Sequence, residues 1–126
     1  MNAILAIGLG GALGAISRYG INIAALKAFG ESFPFGTLIA NIVGSFVMGA
    51  LIALFAYSWQ PSETIRLFLI TGFLGAFTTF SAFSLDFITL WERQAYAHSA
   101  LYLSASVVLS IVGLFAAMAV VRAFVS

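Results

Sequence analysis

Four long apolar stretches, separated by three short polar ones, make up almost the whole of the sequence. The polar stretches are KAFGESFPFG (27–36), SWQPSETIR (58–66) and WERQAYAHS (91–99). In the second of them Ser62 precedes an acid and a helical run, which predicts an N-cap. A helix needs roughly 20 apolar residues to cross a bilayer. The pattern therefore predicts one all-α integral membrane domain over 1–126, with transmembrane helices at 3–26, 37–57, 65–91 and 97–124.

Composition places this pattern in lipid rather than in water. Of the 126 residues, 63% are hydrophobic and 7% are charged, whereas about a quarter of the residues of a soluble domain carry a charge. So few charges cannot cover a water-facing surface, and the expected surroundings are a lipid bilayer. Tyr57, Trp59, Trp91 and Tyr96 stand at predicted span ends, where amphipathic rings favour the membrane–water interface.

The residue content also limits the chemistry that the chain could perform. With no cysteine there is no disulfide framework, thiol chemistry or haem attachment. One histidine and four acids leave little for a side-chain metal site, and His98 lies in the third polar stretch. Because no nucleophile–base pair stands out, we expect the protein not to be an enzyme, and we expect no nucleic-acid partner.

The basic residues are nearly balanced between the two sides of the membrane. With four spans, Arg66 and Arg122 fall on one side, and Arg18, Lys27 and Arg93 on the other. Orientation is set mainly by an excess of Lys and Arg in cytoplasmic loops, and this excess is a single charge. Either other features orient the chain weakly, or it inserts both ways, which would permit an antiparallel homodimer.

Small residues recur at the spacing that helix pairs use in membranes. Gly10 and Gly14 form a GxxxG motif, and Gly36, Ala40 and Gly44 repeat every four residues. Such positions let helix backbones approach closely, which is how helices associate without a hydrophobic driving force. Four short helices cannot enclose much by themselves, so the pattern predicts a homo-oligomer.

The third apolar stretch is interrupted by GAFTTFSAFS, residues 75–84, which places hydroxyl groups and phenylalanines at membrane depth. This composition predicts a helix broken near 75–79. Irregular backbone at that depth is tolerated only where it is buried in protein or lines a cavity, and free carbonyls at a break can hold a small cation. Phe80 and Phe83 share a helical face, where ring edges carry positive potential and packing is the alternative role.

Other polar groups lie inside the predicted spans. Asn41 offers two N–H donors, either for an anion or for an interhelical hydrogen bond. Arg18 either snorkels to the interface or lies at an aqueous vestibule. Tyr102, Ser106 and Ser110 recur every four residues and line one helical face. Together these residues predict a path for a small, strongly hydrated anion that is bound and released without trapping.

Three motifs identify a resemblance that covers nearly the whole chain. They are GGALGAISRYG in the first span, FGTLIANIVGSF in the second and TGFLGAFTTFSAFS in the third. The sequence resembles the Fluc (CrcB) fluoride channels, small proteins of the bacterial inner (plasma) membrane. The resemblance implies passive, selective fluoride export through two pores of a dual-topology, antiparallel homodimer. It also implies a structural sodium ion, central at the dimer interface, at the break in the third span.

By position, the resemblance assigns roles to individual residues. The fluoride pore would be formed by Asn41, Thr79, Phe80, Ser81 and Phe83, with Phe80 and Phe83 of each pore coming from different subunits. The polar track would be formed by Thr37, Tyr102, Ser106 and Ser110. Arg18 would lie near a vestibule, and the main-chain carbonyls of Gly75 and Thr78 would bind the sodium ion.

Two positions depart from the family pattern. Ala82 stands where threonine is usual, so either that hydroxyl is dispensable or conduction is altered. Asp86 stands where glutamate is common, which keeps the charge and shortens its reach.

Two rival functions are open to a chain of this kind. A small multidrug-resistance transporter also has four helices, but it needs a titratable acid deep in the first span, and Asp86 is the only acid inside any predicted span. A non-conducting scaffold would use Asn41 and the hydroxyl groups for packing alone. Substitution of Asn41 and Phe80 separates the scaffold from a channel.

Overall fold

The computed structural model describes residues 2–125, and the regular structure of that range is helical. The elements in chain order are α1 (Ala3–Phe29), α2 (Phe35–Tyr57), α3 (Glu63–Arg66), a π-helical segment (Leu67–Leu74), α4 (Gly75–Phe77), α5 (Phe80–Glu92) and α6 (Tyr96–Val125). The stretches long and apolar enough to cross a membrane are Ala3–Phe29, Phe35–Tyr57, Glu63–Glu92 and Tyr96–Val125. The prediction of an all-α chain with four spans is confirmed, and each span contains the corresponding predicted range.

Local sequence signals explain where the helices begin and end. Asn2 Oδ1 accepts a hydrogen bond from the Leu5 N–H at 2.8 Å, and Ser62 Oγ accepts one from the Ile65 N–H at 3.3 Å. Both caps satisfy N–H groups that a helix start leaves unpaired, and the cap at Ser62 is the one that the sequence predicts. At its other end α1 stops at Gly30, whose φ of +81° lies in the left-handed region that glycine tolerates.

Glycines hold the first span against the third. A Cβ added to Gly10 would meet the Phe68 carbonyl oxygen, and one added to Gly14 would meet the Phe73 carbonyl oxygen. Only glycine lets two backbones approach this closely, and such packing drives helix association in lipid. The predicted close contact of the GxxxG motif is therefore confirmed. It joins α1 to the π-helical segment, both near the start of that segment and near its C-terminal end.

The second span packs beside the middle of the third. Gly36, Ala40 and Gly44, which form the predicted small-residue repeat, are all buried. A Cβ added to Gly44 would meet the Cγ2 methyl of Thr78, a residue that belongs to neither α4 nor α5. The repeat thus brings α2 against the point where helical bonding in the third span stops.

Large apolar side chains cover the outside of the helices. Ile4 is 81% exposed, Phe115 67% and Phe124 84%. A continuous apolar surface of this kind is covered by lipid or by another protein rather than by water. The side chains buried inside a single chain are mostly small residues and aromatic rings, together with Leu74 and Leu90.

Candidate functional site

The third span is interrupted at two threonines. Helical structure ends at Phe77 and resumes at Phe80, while Thr78 (φ −89°, ψ 155°) and Thr79 (φ −154°, ψ 122°) are extended. Threonine hydroxyls can replace helical hydrogen bonds with local ones. Thr78 Oγ1 donates to the Leu74 carbonyl at 2.8 Å, and Thr79 Oγ1 accepts from the N–H of Ala82 at 3.1 Å. The side chains thus terminate one helix and cap the next.

Asn41 bridges the second span to this interruption. Its Nδ2 donates to the Thr79 carbonyl at 3.0 Å, and its Oδ1 accepts from the Thr79 N–H at 2.8 Å. One amide therefore satisfies both main-chain groups of an extended residue. Of the two roles that the sequence allows for Asn41, the interhelical hydrogen bond is therefore present in the structure. Because the amide carries two N–H donors, one of them remains beyond the bond to Thr79.

Arg18 also contacts the third span near the interruption. Its Nε donates to the carbonyl of Ala76, in α4, at 3.1 Å, and the side chain is partly buried. A cation near the last carbonyls of a helix is favoured by the helix dipole. This contact was not predicted from the sequence, because the partners lie 58 positions apart and the acceptor is a main-chain group.

A cavity of about 330 Å³ opens beside the interruption, and we call it the hydroxyl cavity. The predicted pore and track residues that line it are Asn41, Thr79, Phe80, Phe83, Ser106 and Ser110, and Thr78, predicted to bind sodium, lines it as well. Within residues 2–125, the buried Ser106 and Ser110 hydroxyls have no hydrogen-bond partner. Buried polar atoms are nearly always hydrogen-bonded. These two hydroxyls are therefore still able to hydrogen-bond a polar molecule or ion that enters the cavity.

Ser45 also lines the hydroxyl cavity and was missed as a site residue. The sequence contained a signal for it, since Ser45 lies four positions after Asn41 and so shares its face of α2. Among the residues that the structure describes, no charged side chain lines this cavity. Its polar lining is therefore made of hydroxyls and an amide.

The two phenylalanines of the motif differ sharply in burial. Their ring centroids lie 5.5 Å apart with an interplanar angle of 53°. Phe83 is 7% exposed, whereas Phe80 is 78% exposed. Phe83 therefore belongs to the interior of the chain, and most of the Phe80 surface faces outward.

A second set of polar side chains lies around Tyr102, whose ring contacts Phe83. The Phe83 and Tyr102 rings are 5.3 Å apart, and the Tyr102 hydroxyl donates to Asp86 Oδ2 at 3.0 Å. Tyr102 is fully buried and does not line the hydroxyl cavity. Of the predicted stripe on α6, only the two serines share that cavity.

Thr37 and Asp86 face a different cavity, of about 410 Å³, which we call the charged cavity. Ala82 lines it as well, together with Glu31 and Arg93. The position where threonine is usual in the family pattern thus faces the charged cavity and not the hydroxyl cavity. Phe83, which lines the hydroxyl cavity, and Asp86, which lines the charged cavity, both contact Tyr102.

Comparison with known families settles the class of protein. The sequence model described as "CrcB-like protein, Camphor Resistance (CrcB)" matches residues 5–118. The chain belongs to the CrcB family. The resemblance noted from the motifs is therefore confirmed, and with its four apolar helices this CrcB-family member is a multi-pass membrane protein.

Curated CrcB-family relatives match over nearly their whole length. A protein of Cereibacter sphaeroides is 48% identical over 126 residues, which is 100% of this chain and 99% of that protein. A protein of Rhodospirillum centenum is 46% identical over 100% of this chain and 100% of that protein. A protein of Rhizobium johnstonii is 49% identical over 98% of this chain and 98% of that protein. All three bear the name "Fluoride-specific ion channel FluC".

The remaining predicted site residues lie close to the interruption. Ser81 is exposed, and its hydroxyl lies 3.3 Å from that of Thr79. Gly75 begins α4 and is exposed. Contact of any of these residues with an ion stays a prediction. In the described part of the chain, no group of three or more His, Cys, Asp or Glu residues could hold a metal.

Proposed function

We propose that this CrcB-family protein is a fluoride-selective channel that lets fluoride leave the bacterial cell passively across the inner membrane. The observation that carries the proposal is the pair of buried, unpartnered hydroxyls of Ser106 and Ser110 in a cavity without charged side chains. The relatives named as fluoride-specific channels supply the identity of the ion. The protein is a channel and not an enzyme.

The hydroxyl cavity suits a small anion that has to move on. Hydroxyl and amide N–H groups donate to an anion, and the ring edges of Phe80 and Phe83 carry positive potential. A channel must bind its ion strongly enough to admit it and weakly enough to release it. A lysine or arginine in such a buried place would hold the anion too tightly, and neither residue type lines this cavity.

Phe83 and Tyr102 mark the continuation of the path. From the two serines the anion would pass the Phe83 ring and reach the group formed by Thr37, Tyr102 and Asp86. From there the charged cavity leads to the ends of the helices, because it is lined by Glu31 of the first loop and by Arg93 at the end of α5. Both cavities are thus assigned to one route.

A second copy of the chain completes this site in our proposal. Phe80 belongs to the pore motif, yet 78% of its surface is exposed in a single chain. In an antiparallel homodimer the Phe80 of each subunit would enter the pore whose Phe83 the partner supplies, which gives two pores. The near balance of basic residues across the membrane supports insertion in both orientations.

The main chain at the interruption fits a structural sodium ion. The Thr79 N–H, the α-helical partner of the Gly75 carbonyl, is bound to Asn41. The Ala82 N–H, the α-helical partner of the Thr78 carbonyl, is bound to Thr79 Oγ1. The carbonyls of Gly75 and Thr78 have thus lost their usual partners, and carbonyl oxygens at a helix break can coordinate a small cation.

Sodium in this position would join two subunits. One chain offers two such carbonyls, and the same two from an antiparallel partner would complete the coordination. Bound there, the ion would supply charge compensation for the carbonyl oxygens of both interruptions. Exchange of sodium for N-methylglucamine is expected to weaken the dimer in size-exclusion chromatography, and an unchanged dimer would contradict this assignment.

Efflux from liposomes tests the proposed function directly. Purified protein is reconstituted, and the release of fluoride and of chloride is followed with ion-selective electrodes under the same potassium gradient. Rapid fluoride loss with chloride retained is the expected result. Release of neither ion, or equal release of both, would contradict a selective fluoride channel.

The rivals are separated by the same assay. A scaffold would need no ion path, so Asn41→Leu and Phe80→Ile proteins that remain dimeric but conduct no fluoride would exclude it. A proton-coupled multidrug transporter needs an acid deep in the first span, and the sequence has none between residues 3 and 26.

A further inference from the structure

The charged cavity and a smaller neighbour share one rim. The neighbour has a volume of about 110 Å³. The residues that line both are Glu31, Pro34, Asp86 and Arg93. These residues come from the first loop, from α5 and from the turn after it. We call them the mouth.

The mouth carries two negative charges and one positive charge. Among residues 2–125, Glu31 and Asp86 are the acids that line the two cavities, and Arg93 is the only basic residue that lines either. Within residues 2–125, Arg93 makes no ion pair with either acid. An anion on the proposed route therefore meets a net negative lining in which Arg93 provides the opposing field.

Local backbone geometry holds the two outer charges in place. Arg93 ends α5, and its N–H is bonded to the carbonyls of Thr89 and Trp91. Gln94 follows with a φ of +62°, in the left-handed region, and its N–H bonds to the Trp91 carbonyl at 2.9 Å. On the other side Glu31 follows Gly30 in its left-handed conformation. Glu31 and Arg93 thus both lie in turns of defined backbone geometry.

We propose that Arg93 sets the rate at which fluoride crosses this mouth, by offsetting the negative field of Glu31 and Asp86. The inference rests on the proposed channel function and adds to it a residue outside the pore motif. A charge that lines a water-filled cleft changes the local concentration of ions by focusing the field. Such a field acts over about 10 Å at 0.1 M salt and is screened at higher ionic strength.

Fluoride efflux at low ionic strength tests this proposal. Arg93→Gln is expected to slow efflux about threefold, a modest effect for field focusing at an open cleft, and Arg93→Lys to leave it unchanged. Glu31→Gln is expected to speed efflux, and the double variant to return close to the wild-type rate. Raising the concentration of an impermeant salt should shrink each difference, because charges in water are screened.

Lys27→Gln is the matched control. It removes the same charge at the same end of the molecule, but Lys27 lines neither cavity. Equal rates for Arg93→Gln and Lys27→Gln would overturn the proposal, and so would a slow Arg93→Lys. If the Arg93→Gln protein fails to assemble, the Glu31→Gln protein provides the test instead. Fluoride efflux no faster than that of the wild type in Glu31→Gln would then overturn the proposal. Wild-type protein that releases no fluoride would instead contradict the proposed function itself.

Discussion

The hydroxyl cavity and the charged cavity, which we propose lie on one ion route, are lined by different kinds of polar group. The first is lined by hydroxyls, an amide and phenyl rings, while the second contains Glu31, Asp86 and Arg93. Far from water a full charge interacts strongly with an ion, so neutral dipoles allow the ion to leave. Close to water, charges are screened and can guide an ion without trapping it. On the proposed route, distance from water would therefore decide whether a neutral dipole or a full charge is useful to a passing ion.

Asn41→Leu is expected to change the hydroxyl cavity most, because it removes the amide and leaves both main-chain groups of Thr79 without hydrogen-bond partners. Each buried unsatisfied group costs about 1–3 kcal/mol, so the free energy of unfolding should fall by at least about 2 kcal/mol. Fluoride efflux should fall at least about 100-fold, since each ~1.4 kcal/mol of barrier is tenfold. Liposome efflux and thermal unfolding in detergent measure the two effects.

Asn41→Asp refines that experiment. The aspartate keeps an oxygen for the Thr79 N–H but adds a negative charge to a cavity that has none. We expect better assembly than with Asn41→Leu and equally little fluoride efflux. Normal efflux in either variant would remove Asn41 from the ion path.

Phe80→Ile tests whether the hydroxyl cavity is completed by a second chain. Fluoride efflux should fall about tenfold, equivalent to ~1.4 kcal/mol of barrier. Because Phe80 is 78% exposed within one chain, the packing inside each subunit should be little changed, and its helix content by circular dichroism should match that of the wild type. Phe124→Ile, at a residue that is 84% exposed and lines none of the described cavities, is the control and should conduct normally. Equal efflux in both variants would place Phe80 against lipid.

Ser106→Ala separates a conduction role from a packing role by the sign of its effects. The buried hydroxyl has no partner in the described chain, and an unsatisfied buried group costs about 1–3 kcal/mol. Removing it should therefore leave stability unchanged or raise it, while efflux falls about fivefold, which is ~1 kcal/mol of barrier. Ser110→Ala should behave alike, and the exposed Ser104 supplies the control Ser104→Ala. Lower stability with normal efflux would indicate packing.

Ala82→Thr should have the smallest effect. The side chain faces the charged cavity, where the ion also meets full charges, and the Ala82 N–H already caps α5 through Thr79. We expect efflux to change by less than about threefold, which is under ~0.7 kcal/mol. A tenfold gain on introducing the hydroxyl would show instead that a neutral hydroxyl, and not only the charges, governs how the ion passes the charged cavity.

The spans could be predicted from the sequence because hydropathy and helix length act locally. The contacts at the interruption could not. Asn41 meets Thr79 and Arg18 meets Ala76 through main-chain groups 38 and 58 positions away, and no periodicity encodes such pairs. The helical spacing of Tyr102, Ser106 and Ser110 correctly placed them along one face. It could not reveal that the Phe83 ring separates the tyrosine from the hydroxyl cavity, since that depends on how α5 packs on α6.

The glycine contacts between the first and third spans have one more consequence. Where an added Cβ would meet a carbonyl oxygen, the hydrogen that glycine carries in its place points at that oxygen. Gly10 toward Phe68, Gly14 toward Phe73 and Gly72 toward Ile7 therefore form a row of Cα–H···O contacts. Each is worth about 0.5–1 kcal/mol, and lipid provides no hydrophobic drive to replace them. Alanine would place a methyl group where glycine has the hydrogen that faces the carbonyl oxygen, so it would lose these weak hydrogen bonds and push the two backbones apart.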